Sequence, residues 1–265
     1  MKAENPPYKI GLALSGGGAR GFAHVGAIRA LRECGLMPDI VAGVSAGAVI
    51  ATLYSAGLKE REVLKIFDKA KFSTFTEFVV PRKGFFRMDK FARIVQRATG
   101  VTQIEHLPIP TLICATELDT GRQRTFSTGE LMPRLMASCS IPIVFEPVAI
   151  DEHLYVDGGV LHNLPSEPLR SLCEFVIGVN CSPKPLHTKH TNSIVDVARS
   201  SFSLMAKANL GADLALCDLA VEVNEVADHR VFGLHDLQRL VDNGYHATMR
   251  AISRAEIPQH LLRLK

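Results

Sequence analysis

The most constraining part of the chain lies in its first fifth. Residues 9–15 (KIGLALS) read as a buried strand, and a glycine-rich turn follows. Phe22, Val25, Ile28 and Leu31 then mark one face of a helix. Gly35 suits the position just past a helix end. Residues 39–44 (DIVAGV) read as a second strand, and residues 46–56 as a helix stopped at Gly57. Strand, helix, strand within about 35 residues is a βαβ unit, whose strands run parallel through a right-handed crossover.

The rest of the 265 residues continues the alternation. Residues 59–69 and 88–97 read as helices. Residues 111–117 and 175–180 read as buried strands. Residues 143–150 and 153–156, around Asp151-Glu152, read as a hairpin. Residues 192–217 carry apolar side chains at 194, 197, 198, 204, 205 and 208, a pattern that suits a helix packed on a core, and 235–254 read as a late helix. Together these predict an α/β fold with a mostly parallel sheet covered on both faces. No Pro/Gly/Ser-rich linker divides the chain, so the expectation is one domain over residues 1–265. Residues 41–58 carry no charge, but small residues dominate them. They suit a buried strand and helix better than a membrane span, which needs ~20 mostly apolar residues.

Composition excludes several classes. An apolar content of 47% rules out a disordered chain. Thirty basic against 27 acidic residues, a net charge of +3, rules out a strongly basic nucleic-acid protein. The six cysteines show no C-x-x-C and no zinc spacing, which suits free thiols in a reducing compartment and predicts no metal. The first seven residues lack an apolar run, so no signal peptide is expected and the expected location is cytoplasmic.

Two turns carry chemistry. The first is Ser15-Gly16-Gly17-Gly18-Ala19-Arg20-Gly21, between the first strand and its helix. Glycines there let several N–H groups converge, and the helix N-terminus adds partial positive charge, so the loop favours an anion. A phosphate-binding P-loop would need Gly-Lys-Ser/Thr, which is absent. Gly16, Gly18 and Gly21 match the dinucleotide fingerprint G-x-G-x-x-G, but Asp39 sits at the start of the second strand and not at its far end, where a ribose would need it. The second turn is Gly43-Val44-Ser45-Ala46-Gly47, a G-x-S-x-G between strand and helix. Gly43 and Gly47 leave room for a sharp elbow exposing the Ser45 hydroxyl. Both turns lie at carboxyl ends of neighbouring strands, where crevices form in open α/β sheets. A nucleophile and a set of N–H donors would then face one cavity, as acyl transfer requires.

A base is the remaining need. Asp157-Gly158-Gly159 follows a predicted strand, and on spacing alone a plain Asp-Gly turn is the preferred reading. As an ordered set, however, Gly16-Gly17-Gly18-x-Arg20-Gly21, G-x-S-x-G at 43–47 and Asp157-Gly158-Gly159 resemble the patatin-like phospholipase family, in its bacterial, soluble, single-domain form. The match extends to Ala137-Ser138-x-x-x-Pro142 and Asn163-x-Pro165, spanning residues 9 to 165. The resemblance implies a three-layer α/β/α fold. It implies a lipid acyl hydrolase with a Ser45–Asp157 dyad and an oxyanion hole from the backbone of Gly16, Gly17 and Gly18. No cofactor is implied. Arg20 and Gly21 match the family's loop, with Arg20 read as a support of that loop in preference to a substrate contact.

Three alternatives stay open. A Ser–His–Asp triad would draw on a later histidine, although Ser45 comes very early for that fold. His24 reads as a packing or surface residue, and His162 as a loop residue. Seven phenylalanines between 67 and 91 (Phe67, Phe72, Phe75, Phe78, Phe85, Phe86 and Phe91), interleaved with basic residues, suit a core patch. They also suit a cap touching an acyl chain or, transiently, a membrane surface. Finally, the fold could serve as a regulatory or binding module with weak or lost hydrolysis. The expected partner is a lipid or small ester, with no nucleic acid.

Overall fold

Apolar runs with no polar alternation become strands buried on both faces. Four such runs build the centre of the computed structural model, which describes residues 5–68, 72–78, 84–183 and 193–263. In chain order the elements are β1 (Tyr8–Leu14), α1 (Ala23–Glu33), β2 (Ile40–Val44), α2 (Ala46–Ser55), α3 (Glu60–Phe67), α4 (Phe72–Phe75), β3 (Glu77–Phe78), β4 (Gly84–Arg87), α5 (Asp89–Thr99), β5 (Thr111–Glu117), β6 (Arg122–Phe126), α6 (Leu131–Cys139), β7 (Ile143–Phe145), β8 (Val148–Ile150), β9 (His153–Asp157), α7 (Glu167–Arg170), β10 (Cys173–Asn180), α8 (Ile194–Ala208), α9 (Leu210–Ala215), β11 (Leu219–Glu222) and α10 (Leu237–Ile252). Strands β11, β10, β1, β2 and β5 lie side by side in that order, all parallel. The uncharged stretch 41–58 becomes β2 and α2. No helix among the described residues is long and apolar enough to cross a membrane.

The two faces of the sheet bury different clusters. Ile10, Leu12 and Leu14 of β1 join side chains of α1, α2 and α10 in the larger core. Ala13, between them on the opposite face, packs with Leu164, Leu169 and Val176, and Leu210 and Leu214 of α9 cover that side. This is the three-layer α/β/α arrangement. Helices α1 and α10 meet backbone to backbone. A Cβ on Gly26 would collide with the Val241 carbonyl, and one on Gly244 with the Ala23 carbonyl.

The decisive topological detail lies along β5. Residues 113–117 pair antiparallel with β6 on one edge. The other edge is shared. Parallel β2 occupies its lower part and ends with Val44 opposite Cys114. Antiparallel β9 occupies its upper part and ends with Asp157 opposite Ala115. Two strands running toward each other therefore finish at consecutive positions of one neighbour. Their carboxyl ends meet in the middle of the sheet.

Several expectations needed correction. The predicted hairpin is only β8–β9, turned at Asp151 and Glu152, both with positive φ (48° and 69°). Residues 143–145 instead form β7, which pairs with β4 in a separate three-stranded sheet, β3-β4-β7. Residues 194–217 form two helices and the start of a loop, not one helix. Of the stripe expected to pack on the core, Ala198 is buried, but Ile194, Val197, Leu204 and Met205 are exposed. Helix α8 is seated through Ala198 and Ala206, both buried, with the half-buried Phe202 between them. Two small residues let the helix lie close, and that fixes which face turns in.

Candidate active site

Ser45 occupies the turn from β2 to α2 with φ 54° and ψ −125°. Non-glycine residues seldom hold positive φ, and such strain clusters at functional positions. The neighbourhood enforces it. The Ser45 N–H donates to Ser138 Oγ at 2.9 Å, and that hydroxyl donates to the Cys114 carbonyl at 2.6 Å. Space is equally restrictive. A Cβ at Gly47 would strike the Leu14 carbonyl, and one at Gly43 would sit 2.5 Å from Ala48. The elbow can thus pack directly on β1 and on its own helix.

Asp157, at the end of β9, is fully buried. Its N–H donates to the Ser140 carbonyl at 2.9 Å. Its Oδ1 accepts the Gly159 N–H at 2.8 Å. Burial pushes its carboxyl up to about 7, against the opposing pull of the Ser45 hydroxyl and the Gly159 N–H. Oδ2 nevertheless meets no donor at hydrogen-bonding geometry. The Ser45 hydroxyl and the Asp157 carboxyl are still near enough for the one to act on the other.

The glycine loop departs from expectation at one position. The Gly16 N–H donates to the Asn163 carbonyl at 3.1 Å, so it is not free to meet an oxyanion. The Asn163 side chain fills the space where a Gly16 Cβ would lie. The N–H groups of Gly17 and Gly18 have no hydrogen-bond partner among the described residues. Gly18 has φ +59°, and a Cβ there would overlap the Val231 carbonyl. Gly21 packs against Ala46, joining the loop to the elbow.

Arg20 supports this loop. Its Nε donates to the His229 carbonyl at 2.8 Å and its Nη2 to the Ala227 carbonyl at 2.9 Å. The Ala19 N–H adds a bond to the Val231 carbonyl at 2.7 Å. His24 lies beneath, fully buried, with Nε2 2.8 Å from the Ser15 carbonyl and Nδ1 3.4 Å from Cys181 Sγ. Burial lowers its pKa to about 4, so the ring is neutral and donates from Nε2. It is a packing residue.

Loop and elbow face one apolar cavity of about 150 Å³. Ser45 and Gly18 form part of its wall, with Phe22, Val49, Phe67, Phe75 and Phe91 beyond them. Of the seven aromatic residues between 67 and 91, three thus line the cavity. Residues 69–71 and 79–83, with several of the interleaved basic side chains, lie outside the described residues. No described histidine lines the cavity or hydrogen-bonds Ser45 or Asp157. His162 pairs elsewhere, its Nδ1 2.8 Å from Asp213 Oδ1. Glu117, Asp119 and His153 each place one potential ligand atom within 4.8 Å of the others, outside the cavity. Glu117 is already engaged by Arg124 Nε at 3.1 Å. All six cysteines are free.

Ser138, Ser140 and Asn163 carry no role that their place in the sequence alone reveals. Their contacts with the elbow, with Asp157 and with the glycine loop account for two further short motifs. The signal was available as polar residues inside otherwise apolar runs.

Comparison with known proteins agrees with this architecture. Residues 12–170 match the family model for patatin-like phospholipases. The chain belongs to the patatin-like phospholipase family. An uncharacterized NTE family protein of Mycobacterium tuberculosis is 36% identical over 172 residues, covering 61% of this chain and 45% of the relative. The neuropathy target esterase sws of Drosophila melanogaster is 32% identical over 174 residues, covering 62% of this chain and 12% of the relative. The chain thus spans less than half the length of these relatives. The crystal structure of VipD from Legionella pneumophila superposes with a TM-score of 0.53 at 14% identity, over 96% of this chain and 69% of that one. That likeness concerns the fold.

Proposed function

We propose that the protein hydrolyses carboxylic esters of lipids through an acyl-enzyme, with Ser45 as nucleophile and Asp157 as base. The observation that carries this reading is the meeting of β2 and β9 end to end on β5. It sets a strained serine beside a buried carboxyl at the wall of one apolar cavity. The family membership and the esterase among the relatives support the same class of reaction.

In the proposed sequence Ser45 Oγ attacks the ester carbonyl carbon and its proton passes to Asp157. The carbonyl oxygen becomes an oxyanion facing the unengaged N–H groups of Gly17 and Gly18. Such donors typically contribute ~10²–10³ in rate each. Collapse breaks the ester bond, and the alcohol leaves with the proton from Asp157. Water then attacks the acyl-Ser45 ester with its proton passing to Asp157, and collapse returns that proton to Ser45 Oγ as the carboxylic acid departs. A carboxyl near neutrality matches this double duty better than an ordinary aspartate would. The apolar wall holds the acyl chain. An engineered cavity of similar volume holds a benzene ring, so about six carbons fit here.

A binding module would gain nothing from holding a serine at φ 54°. The test is trapping the intermediate. Incubation with p-nitrophenyl hexanoate and acid quench should give a peptide containing Ser45 heavier by one hexanoyl group. Release of p-nitrophenol with no adduct on Ser45 in any quench would overturn the acyl-enzyme.

A further inference from the structure

Residues 67–91 suit a core patch or a cap that meets a membrane; Phe67 and Phe75 are buried and, with Phe91, line the cavity, while Phe78 stands alone at 69% exposure. Outward-facing apolar surface is concentrated elsewhere. Along α8, Ile194 is 72% exposed, Val197 52%, Leu204 73% and Met205 36%. At spacings of three, seven and one they form a single stripe, broken only by Ser201. Ile143 stands beside the helix, 47% exposed, with φ +71°, a backbone setting that β-branched residues avoid. Between Ile143 and α8 runs an apolar groove of about 490 Å³, lined also by Phe202 and Met205.

We propose that this face, the outer stripe of α8 with Ile143, is where the protein docks on a phospholipid bilayer. The proposal rests on the lipid-ester reading above. The occupant is inferred from continuity. Phe202 links the two: it lines the groove, and it packs in one cluster with Ile141, Phe145 and Phe232. Those three line the cavity that holds Ser45. Phe202 also reaches the place where a Gly159 Cβ would lie, over the turn that carries Asp157. An acyl chain drawn from a bilayer on α8 would therefore move along apolar side chains from the membrane to the nucleophile. A protein partner would give no reason for that continuity. A helix with one apolar stripe suits lying in the plane of a membrane interface. A net charge of +3 opposes no anionic headgroup.

The chain has no tryptophan, which makes the test direct. Leu204→Trp, on a Ser45→Ala background that leaves lipids intact, supplies a single fluorophore on the stripe. Vesicles of phosphatidylcholine with a minor share of phosphatidylglycerol should shift its emission to the blue with saturation. Val197→Asp with Leu204→Asp should lower vesicle partitioning by on the order of 100-fold, about tenfold for each apolar side chain withdrawn. Hydrolysis of water-soluble p-nitrophenyl butyrate should be unchanged. If the double variant melts early, Val197→Ser with Leu204→Ser should show the same direction with a smaller loss. An unshifted fluorophore, or equal partitioning of wild type and variants, would overturn the proposal. So would a dimer in sedimentation that the variants dissolve, because the face would then be a contact between copies. Absence of butyrate hydrolysis in the wild type would count against the ester reading alone, since partitioning is read without turnover.

Discussion

Two aspartates are buried almost completely, Asp157 at 0% exposure and Asp213 at 2%, and burial raises the pKa of both. Each leaves its Oδ2 without a hydrogen-bond partner. They differ in what stands opposite. Asp213 Oδ1 meets the His162 ring at 2.8 Å. Ser166 donates to the Asp213 carbonyl, and Asn209 of the same region donates to the Leu161 carbonyl at 2.9 Å. That aspartate pins α9 to the segment following Asp157. Asp157 faces no cation among the described residues. Its neighbours are one backbone N–H and a serine hydroxyl at the cavity wall. A buried acid with an imidazole partner serves as an anchor. One left with only a hydroxyl keeps its basicity available for a proton.

The contrast is sharpest in paired substitutions. Asp157→Asn should lower ester turnover by on the order of 10³–10⁴-fold, because an amide cannot take the serine proton. It should at the same time stabilise the fold. In the native state the carboxyl titrates near 7, against 3.8 when free, so the native state binds the extra proton between those values. Stability therefore falls as pH rises from about 4 to about 7 and stays lower above. Asparagine escapes that cost, so at pH 8 chemical denaturation should show a gain on the order of 2–4 kcal/mol. Asp213→Ala should behave oppositely, losing about 1–3 kcal/mol of stability and keeping turnover within about tenfold. Equal effects from both would erase the distinction.

The glycine loop comes next in size. Gly18→Ala forces a Cβ into the Val231 carbonyl at a left-handed position. Turnover should fall on the order of 10²–10³-fold if its N–H serves the oxyanion, with affinity for a non-hydrolysable acyl analogue changed far less. The pH profile of kcat/KM should rise as Asp157 loses its proton, with a midpoint near the carboxyl's value of about 7. A second effect has the opposite origin. His24, held neutral with a pKa of about 4, takes its proton later than in the unfolded chain, so stability falls as pH drops from 6.5 toward 4. Smallest is the chain-length effect. From acetate to hexanoate esters kcat/KM should rise about three- to fourfold per methylene, from ~0.8 kcal/mol for each one buried, and then level off.

What the sequence made legible was local. The β1–turn–α1–β2 unit, the Ser45 elbow and the glycine loop are contiguous, so composition and period alone locate them. The Asp157 turn was legible only as a common Asp-Gly turn until the ordered motifs were taken together. The sharing of β5's edge by β2 and β9 depends on pairings between segments some forty to seventy residues apart. No local pattern encodes that. For the same reason 143–145 looked like part of a hairpin and proved to pair with β4. Gly16 was grouped with its neighbours because all three glycines look alike in sequence. Only the return of the chain at Asn163 engages the first N–H and leaves the next two. Along α8, periodicity reveals a stripe but not which side finds a partner. Small alanines, not the larger aliphatics, turned inward.

The most direct measurement is labelling with a fluorophosphonate probe across the wild type, Ser45→Ala, Asp157→Asn and a His-to-Ala panel that includes His24, His162, His187 and His190. Strong labelling is expected for the wild type and every folded histidine variant, and none for Ser45→Ala or Asp157→Asn. Labelling that survives Asp157→Asn but disappears with one of the histidines would contradict the dyad and make that histidine the base.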